Sequence, residues 1–168
     1  MTPTHLHTFF NHYRDAFNRL DGDAVADLWH SPSGITDTAA PEAGESRPAN
    51  ATGPSALEGG TARLTWWPQD AAMRANMHAL CDVYRAAGFA HAQFEWIGCV
   101  PMGANHAFVH LRWTVHRADG TLLQQFSTGY QLLRTVPGWR VILAVAYSEN
   151  IREMSHVKPQ GGPIGPHD

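Results

Sequence analysis

The chain has 168 residues, 43% of them hydrophobic, a formal net charge of −3 and two cysteines. That length suits one domain able to bury roughly 70% of its unfolded surface without a metal or disulfide staple. Mild acidity and the lack of a Lys/Arg cluster exclude nucleic acid as a main partner, because neutralising phosphates takes a basic patch, and the eleven histidines add positive charge only at acid pH.

Leu6, Phe9, Phe10, Tyr13, Phe17 and Leu20 recur at three- and four-residue spacing, which predicts an amphipathic helix of about four turns with Thr4 as N-cap and Gly22 as stop. A buried Tyr13 would need a partner or a ligand for its hydroxyl. A second, shorter helix is predicted over 23–29, capped by Asp21 or Asp23, with Val25, Leu28 and Trp29 pointing one way. Residues 30–37 break the helical pattern and hold one short strand. Residues 38–60 are rich in Ala, Gly, Pro, Ser and Glu with almost no large apolar side chain, so a long lid-like loop is expected there. Residues 61–67 read as a strand that pairs with the one near Ile35 and closes this loop at its base.

Pro68-Gln69-Asp70 opens a third helix, with Met73, Met77, Leu80, Tyr84 and Ala87 on its buried side and Gly88 as its end. Four long runs follow, 89–100, 104–116, 121–135 and 139–149, divided by Pro101-Met102-Gly103, Asp119-Gly120 and Pro137-Gly138. Such β-branched and aromatic runs with turn punctuation predict an antiparallel meander. Alternation puts Val109, Leu111, Trp113 and Val115 on one face, and His106, Phe108, His110, Arg112, Thr114 and His116 on the other. In the last run it puts Trp139, Val141, Leu143, Val145 and Tyr147 together. Residues 1–155 are expected to form the domain, and 156–168, rich in Gly and Pro, a disordered tail. The start lacks the basic and apolar regions of a signal peptide, and no stretch has the length of a membrane helix, so a soluble cytoplasmic protein with no membrane partner and with Cys81 and Cys99 reduced is expected.

This order, helices and a strand pair ahead of four long strands, is α+β, with a strongly curved mixed or antiparallel sheet wrapped around a long helix. Through its opening Phe9-Phe10-Asn11-His12-Tyr13-Arg14-Asp15-Ala16-Phe17-Asn18-Arg19-Leu20-Asp21-Gly22-Asp23, through Leu28-Trp29, and through its ending Gly138-Trp139-Arg140-Val141-Ile142, the chain from about residue 6 to 149 resembles the nuclear transport factor two-like superfamily. That is the cystatin-like cone fold shared with ketosteroid isomerase, scytalone dehydratase and the polyketide-cyclase-like proteins. The resemblance implies a pocket between the concave face of the sheet and the helices, and a homodimer through the outer face. It implies no single reaction, since the fold hosts isomerases, dehydratases, cyclases, hydrolases and binding modules without catalysis.

If the apolar faces line such a cone, the pocket gathers Tyr13, Phe17, Trp29, Trp66 or Trp67, Met77, Phe94, Trp96, Trp113, Leu143 and Tyr147, with Tyr130 near them. A lining so aromatic and so poor in polar groups suits a hydrophobic or aromatic small molecule. Catalysis in such a cone needs a general base tuned by burial. The candidates are His30 and Asp37, an acid–base pair at the mouth if the short strand folds back, together with Tyr13. In many polyketide-cyclase-like relatives the final strand supplies a polar residue where this chain has Leu143 and Val145, a departure from the catalytic pattern. Two functions therefore stay open: a small-molecule binding protein without catalysis, and a cofactor-independent isomerase, dehydratase or cyclase acting on a hydrophobic or aromatic substrate. No cofactor or metal is expected. His106 and His110 lie about 13 Å apart along one strand, too far for two nitrogens each about 2 Å from one ion. Their face is assigned to a dimer interface or a wet outer surface, and a dimer built on it should weaken as the histidines protonate below about pH 6.

Overall fold

In the computed structural model of the protein, residues 3–38 and 62–147 are described. The loop expected at 38–60 and the tail expected at 156–168 fall, apart from Thr38, outside them. Helix α1 (Thr4–Asn18) buries Leu6, Phe9, Phe10, Tyr13 and Ala16, the apolar stripe that its spacing sets out. Thr4 is its first residue and not its cap. Pro3 occupies the N-cap position with φ −65°, a value its ring imposes. The helix also stops ahead of Gly22, where Leu20 takes a left-handed φ of 49° and turns the chain. Gly22 begins the short helix α2 (Gly22–Ala26), capped by the Asp21 carboxylate, which accepts from the Ala24 N–H at 3.0 Å.

Trp29 is not helical; it opens strand β1 (Trp29–Thr38). That strand outruns the short one expected because it has partners on both edges, β2 (Ala62–Trp67) antiparallel and β6 (Gly138–Tyr147) parallel. Helix α3 (Asp70–Ala86) buries Met73, Met77, Cys81 and Tyr84 and ends where Gly88 adopts φ 87°, the left-handed stop that glycine permits. The meander follows as β3 (Phe89–Pro101), β4 (His106–Arg117), β5 (Leu122–Thr135) and β6. The six strands run in the order β2-β1-β6-β5-β4-β3, and only β1 and β6 are parallel. Helix α1 packs on β3, and α3 on α2 and β1, so the helices cover one face. Phe10 has no exposed surface and meets the rings of Phe9, Tyr13, Phe94, Trp96 and Tyr130.

Register decides what each face presents. Ala107, Val109, Leu111, Trp113 and Val115 of β4 lie opposite Leu132, Tyr130, Thr128, Phe126 and Gln124 of β5, all turned toward the helices. On β6 the pairing slips: Leu132 opposes Val141 but Gln131 opposes Leu143, leaving Ile142 as an extra residue. A one-residue slip exchanges the two faces. Val141 points inward, and beyond the bulge Ala144 and Ala146 do so in place of Leu143, Val145 and Tyr147. This corrects the single inner face expected from Trp139 to Tyr147. Alternation could not reveal the slip, because Val141-Ile142-Leu143-Ala144-Val145-Ala146 is apolar at every position.

Candidate functional site

A cavity of ≈ 70 Å³ lies between the helices and the sheet. Tyr13 and Phe17 reach it from α1, Met77, Leu80 and Tyr84 from α3, and Trp29 and Ile35 from β1. Its floor is Phe89 and Ala92 of β3, Trp113 and Val115 of β4, Phe126, Thr128 and Tyr130 of β5, and Ala144 and Ala146 of β6. The space exists because the bulge turns two methyl side chains inward where a simple alternation would have turned in Leu143, Val145 and Tyr147. Half-buried Phe17, Ile35, Leu80, Phe89 and Phe126 mark the side on which it opens.

The polar groups around the cavity are neutral. Trp113 Nε1 donates to the Tyr130 hydroxyl at 2.9 Å, and Gln124 Nε2 donates to the Tyr84 hydroxyl at 2.9 Å. The described lining residues include no Asp, Glu, His, Lys or Arg. Thr128, 3% exposed, contributes a hydroxyl without a hydrogen-bond partner among the described residues.

Of the residues singled out in the sequence, Tyr13, Phe17, Trp29, Met77, Trp113 and Tyr130 come together on the cavity wall. Phe94 and Trp96 also face inward but pack beneath α1, against His7 and Phe10. Trp66 is on the outer face and 52% exposed. Since Ser33 opposes Trp67 and Gly34 opposes Trp66, only the second of the two adjacent tryptophans can point inward. Leu143 and Tyr147 are outside as well, and Tyr147 forms a hydrogen bond with His110 there.

His30 and Asp37 do not meet. They stand at opposite ends of β1, roughly 20 Å apart along an extended strand, and its hydrogen bonds to β2 and β6 keep it from folding back. His30 Nδ1 donates to the Pro32 carbonyl at 3.0 Å and borders a shallow groove with Asp27, Asp70, Arg74 and Arg140. Asp37 pairs with Arg63 at 2.7 Å. It shares the inward face with Ile35, and its Oδ1 is buried without a partner among the described residues. Trp29 Nε1 and Ser33 Oγ on the same strand are likewise sealed and unpaired among the described residues.

Other ionisable groups hold the fold together. Arg74 contacts the carboxylates of Asp23, Asp27 and Asp70 at 3.1, 2.8 and 3.1 Å, tying α2 to α3. His78 donates to Asp23 at 3.1 Å, and these partners, His78 foremost and Arg74 next, keep the Asp23 carboxyl below its usual range. Burial pushes the thiols of Cys81 and Cys99 up, away from the reactive thiolate. Among the described residues no three His, Cys, Asp or Glu side chains are grouped to hold a metal, and no helix is long and apolar enough to cross a membrane.

A mixed six-stranded sheet with helices on one face and an aromatic interior defines a cystatin-like α+β cone. Solved structures share it. A domain of unknown function with a cystatin-like fold from Nostoc punctiforme is 13% identical, with a TM-score of 0.60 over 89% of this chain and 80% of its own. An NTF2-like protein from Novosphingobium aromaticivorans is 15% identical, with a TM-score of 0.59 over 90% of this chain and 86% of its own. A ketosteroid isomerase-like protein from Erwinia carotovora atroseptica is 14% identical, with a TM-score of 0.52 over 86% and 93%. At these identities the likeness concerns the fold alone, and no curated protein matches the sequence. The family profile described as NTF2-like protein (DUF6841) matches residues 5–149, and the chain belongs to that family.

Proposed function

We propose that the protein binds a hydrophobic or aromatic small molecule inside the cone without converting it. The observation that carries this reading is the character of the cavity wall: aromatic and aliphatic side chains from α1, α3 and five strands, with no charged group among the described lining residues. Such a wall gains by covering apolar surface and offers little to a proton-transfer reaction. The test is amide NMR during titration with α-methylstyrene, a neutral single-ring hydrocarbon. Shifts centred on Tyr13, Met77, Thr128 and Ala146 are expected. No shifts, or shifts confined to the outer face of the sheet, would overturn the reading.

Asp37 favours a second reading, a cofactor-independent isomerase, dehydratase or cyclase. Its Oδ1, buried and unpaired among the described residues, lies two positions beyond Ile35 on the same inward face, a setting for a general base, with Tyr13 on the cavity wall as the candidate for developing charge. Such a protein would speed exchange of the methyl protons of acetophenone with solvent deuterium, and Asp37→Asn would abolish the effect. Exchange at the buffer rate sinks this reading.

The partner proposed for the outer face is a second copy of the chain. Gly34 lets the Trp66 ring lie flat on the sheet, since a Cβ there would come within 2.6 Å of Trp66 Cε3, and the Phe108 ring covers Gly129 in the same way. Leu64, 60% exposed, extends this level apolar surface, which suits sheet-to-sheet packing about a two-fold axis. Leu64→Glu should yield a folded monomer in sedimentation, whereas a wild-type monomer at micromolar concentration would refute the dimer. The free thiols of Cys81 and Cys99 suit a reducing, cytoplasmic setting.

A further inference from the structure

The cavity wall also says what kind of molecule belongs in it, given that the interior is a ligand site at all. Among its polar groups, Tyr130 and Tyr84 are engaged by Trp113 and Gln124. Thr128 differs from them. It is 3% exposed, sits midway along β5 between inward-facing Phe126 and Tyr130, and its hydroxyl meets no protein partner among the described residues. Nor is its oxygen among the sealed, unpaired polar atoms, so it borders the free space of the cavity. A buried hydroxyl left without a partner costs free energy that a ligand group can recover. A carboxylate or an ammonium in the same place would be stripped of water with no counter-charge on the wall.

From this we infer that the ligand is an uncharged aromatic compound carrying one carbonyl or hydroxyl group, and that Thr128 is the residue that reads that group. The ring lies among Tyr13, Phe17, Met77 and Trp113, and the Thr128 O–H donates to the ligand oxygen. Selectivity of this type is sharper than apolar fit alone, because an analogue lacking the oxygen leaves the hydroxyl unpaired.

The experiment compares two probes of nearly the same shape, acetophenone and α-methylstyrene, which differ by C=O against C=CH2. Their affinities are measured for the wild type, for Thr128→Val, which replaces the hydroxyl with a methyl, and for Thr128→Ser, which keeps it. Since water solvates the two probes differently, the informative quantity is the change in their affinity ratio between proteins. The preference for acetophenone should fall about three- to tenfold in Thr128→Val and be kept in Thr128→Ser, while benzoate binds at least roughly a hundredfold more weakly than acetophenone. An unchanged ratio in Thr128→Val, with both probes still bound, would overturn the role of Thr128 and leave the cone a ligand site. Benzoate binding as tightly as acetophenone would overturn the neutral-ligand assignment. Failure of both neutral probes to bind the wild type would remove this inference together with the binding function.

Discussion

Met77→Ala is the sharpest test of whether the interior is a site or merely imperfect packing. Met77 is 1% exposed, projects from α3 and forms part of the cavity wall. The substitution removes three buried heavy atoms, about 2.4 kcal/mol on the scale of one buried methylene each. Complete truncations of this kind span about 2–5 kcal/mol, because the space left behind costs extra contacts. Here the side chain already borders ≈ 70 Å³ of free space, so part of those contacts are missing from the start. The expected loss is therefore near the lower end, about 3 kcal/mol, or a fall in Tm of about 6–12 °C for a chain of this size. The enlarged cavity should accept α-methylstyrene more readily than the wild-type one. At a hundredfold excess over its Kd the probe should return about 2.7 kcal/mol, most of the loss. Thermal and urea unfolding with and without the probe measure both quantities. A loss under about 1 kcal/mol, or a probe that stabilises neither protein, would refute the reasoning that Met77 stands between a packed core and an occupied site.

Three further outcomes are expected. Ala146→Leu should leave stability within about 1 kcal/mol, since the added carbons enter free space, yet weaken α-methylstyrene binding at least roughly tenfold; titration of the variant decides it. Asp23 is held below its ordinary value of 3.8 by His78 and Arg74, so its pairing supports the fold above that pH and is lost as pH falls through the lower native value. Asp23→Asn should accordingly flatten that part of the acid-unfolding curve, and an unchanged curve would remove Asp23 from the account. Burial raises the Cys81 thiol, so alkylation by iodoacetamide at neutral pH should be at least roughly tenfold slower than for a free thiol, as followed by mass spectrometry; a rate near the free-thiol value would contradict the burial.

The helices were legible because their apolar stripes are long and regular, as in Leu6, Phe9, Phe10 and Tyr13 or Met73, Met77 and Tyr84. The inner face of β4 was legible for the same reason, since histidines and an arginine mark its other side. Reading failed where both faces are apolar or where two neighbours compete. Trp66 and Trp67 can be separated only by the register against Gly34 and Ser33, which is a matter of tertiary pairing. Thr128 was legible in principle, because it alternates with Phe126 and Tyr130, but a threonine in a strand gives no chemical sign of its own. The His30–Asp37 pair failed for a geometric reason: a strand paired on both edges holds its ends far apart.

The bulge at Ile142 links two properties that would otherwise vary separately. Were the bulge ironed out, with Ile142 taking the place opposite Gln131, simple alternation along β6 would send Leu143, Val145 and Tyr147 inward and Ala144 and Ala146 outward. The interior would close up, and the exterior would lose its larger apolar side chains in the same event. Capacity for a guest and tendency to self-associate are thus set by a single backbone insertion.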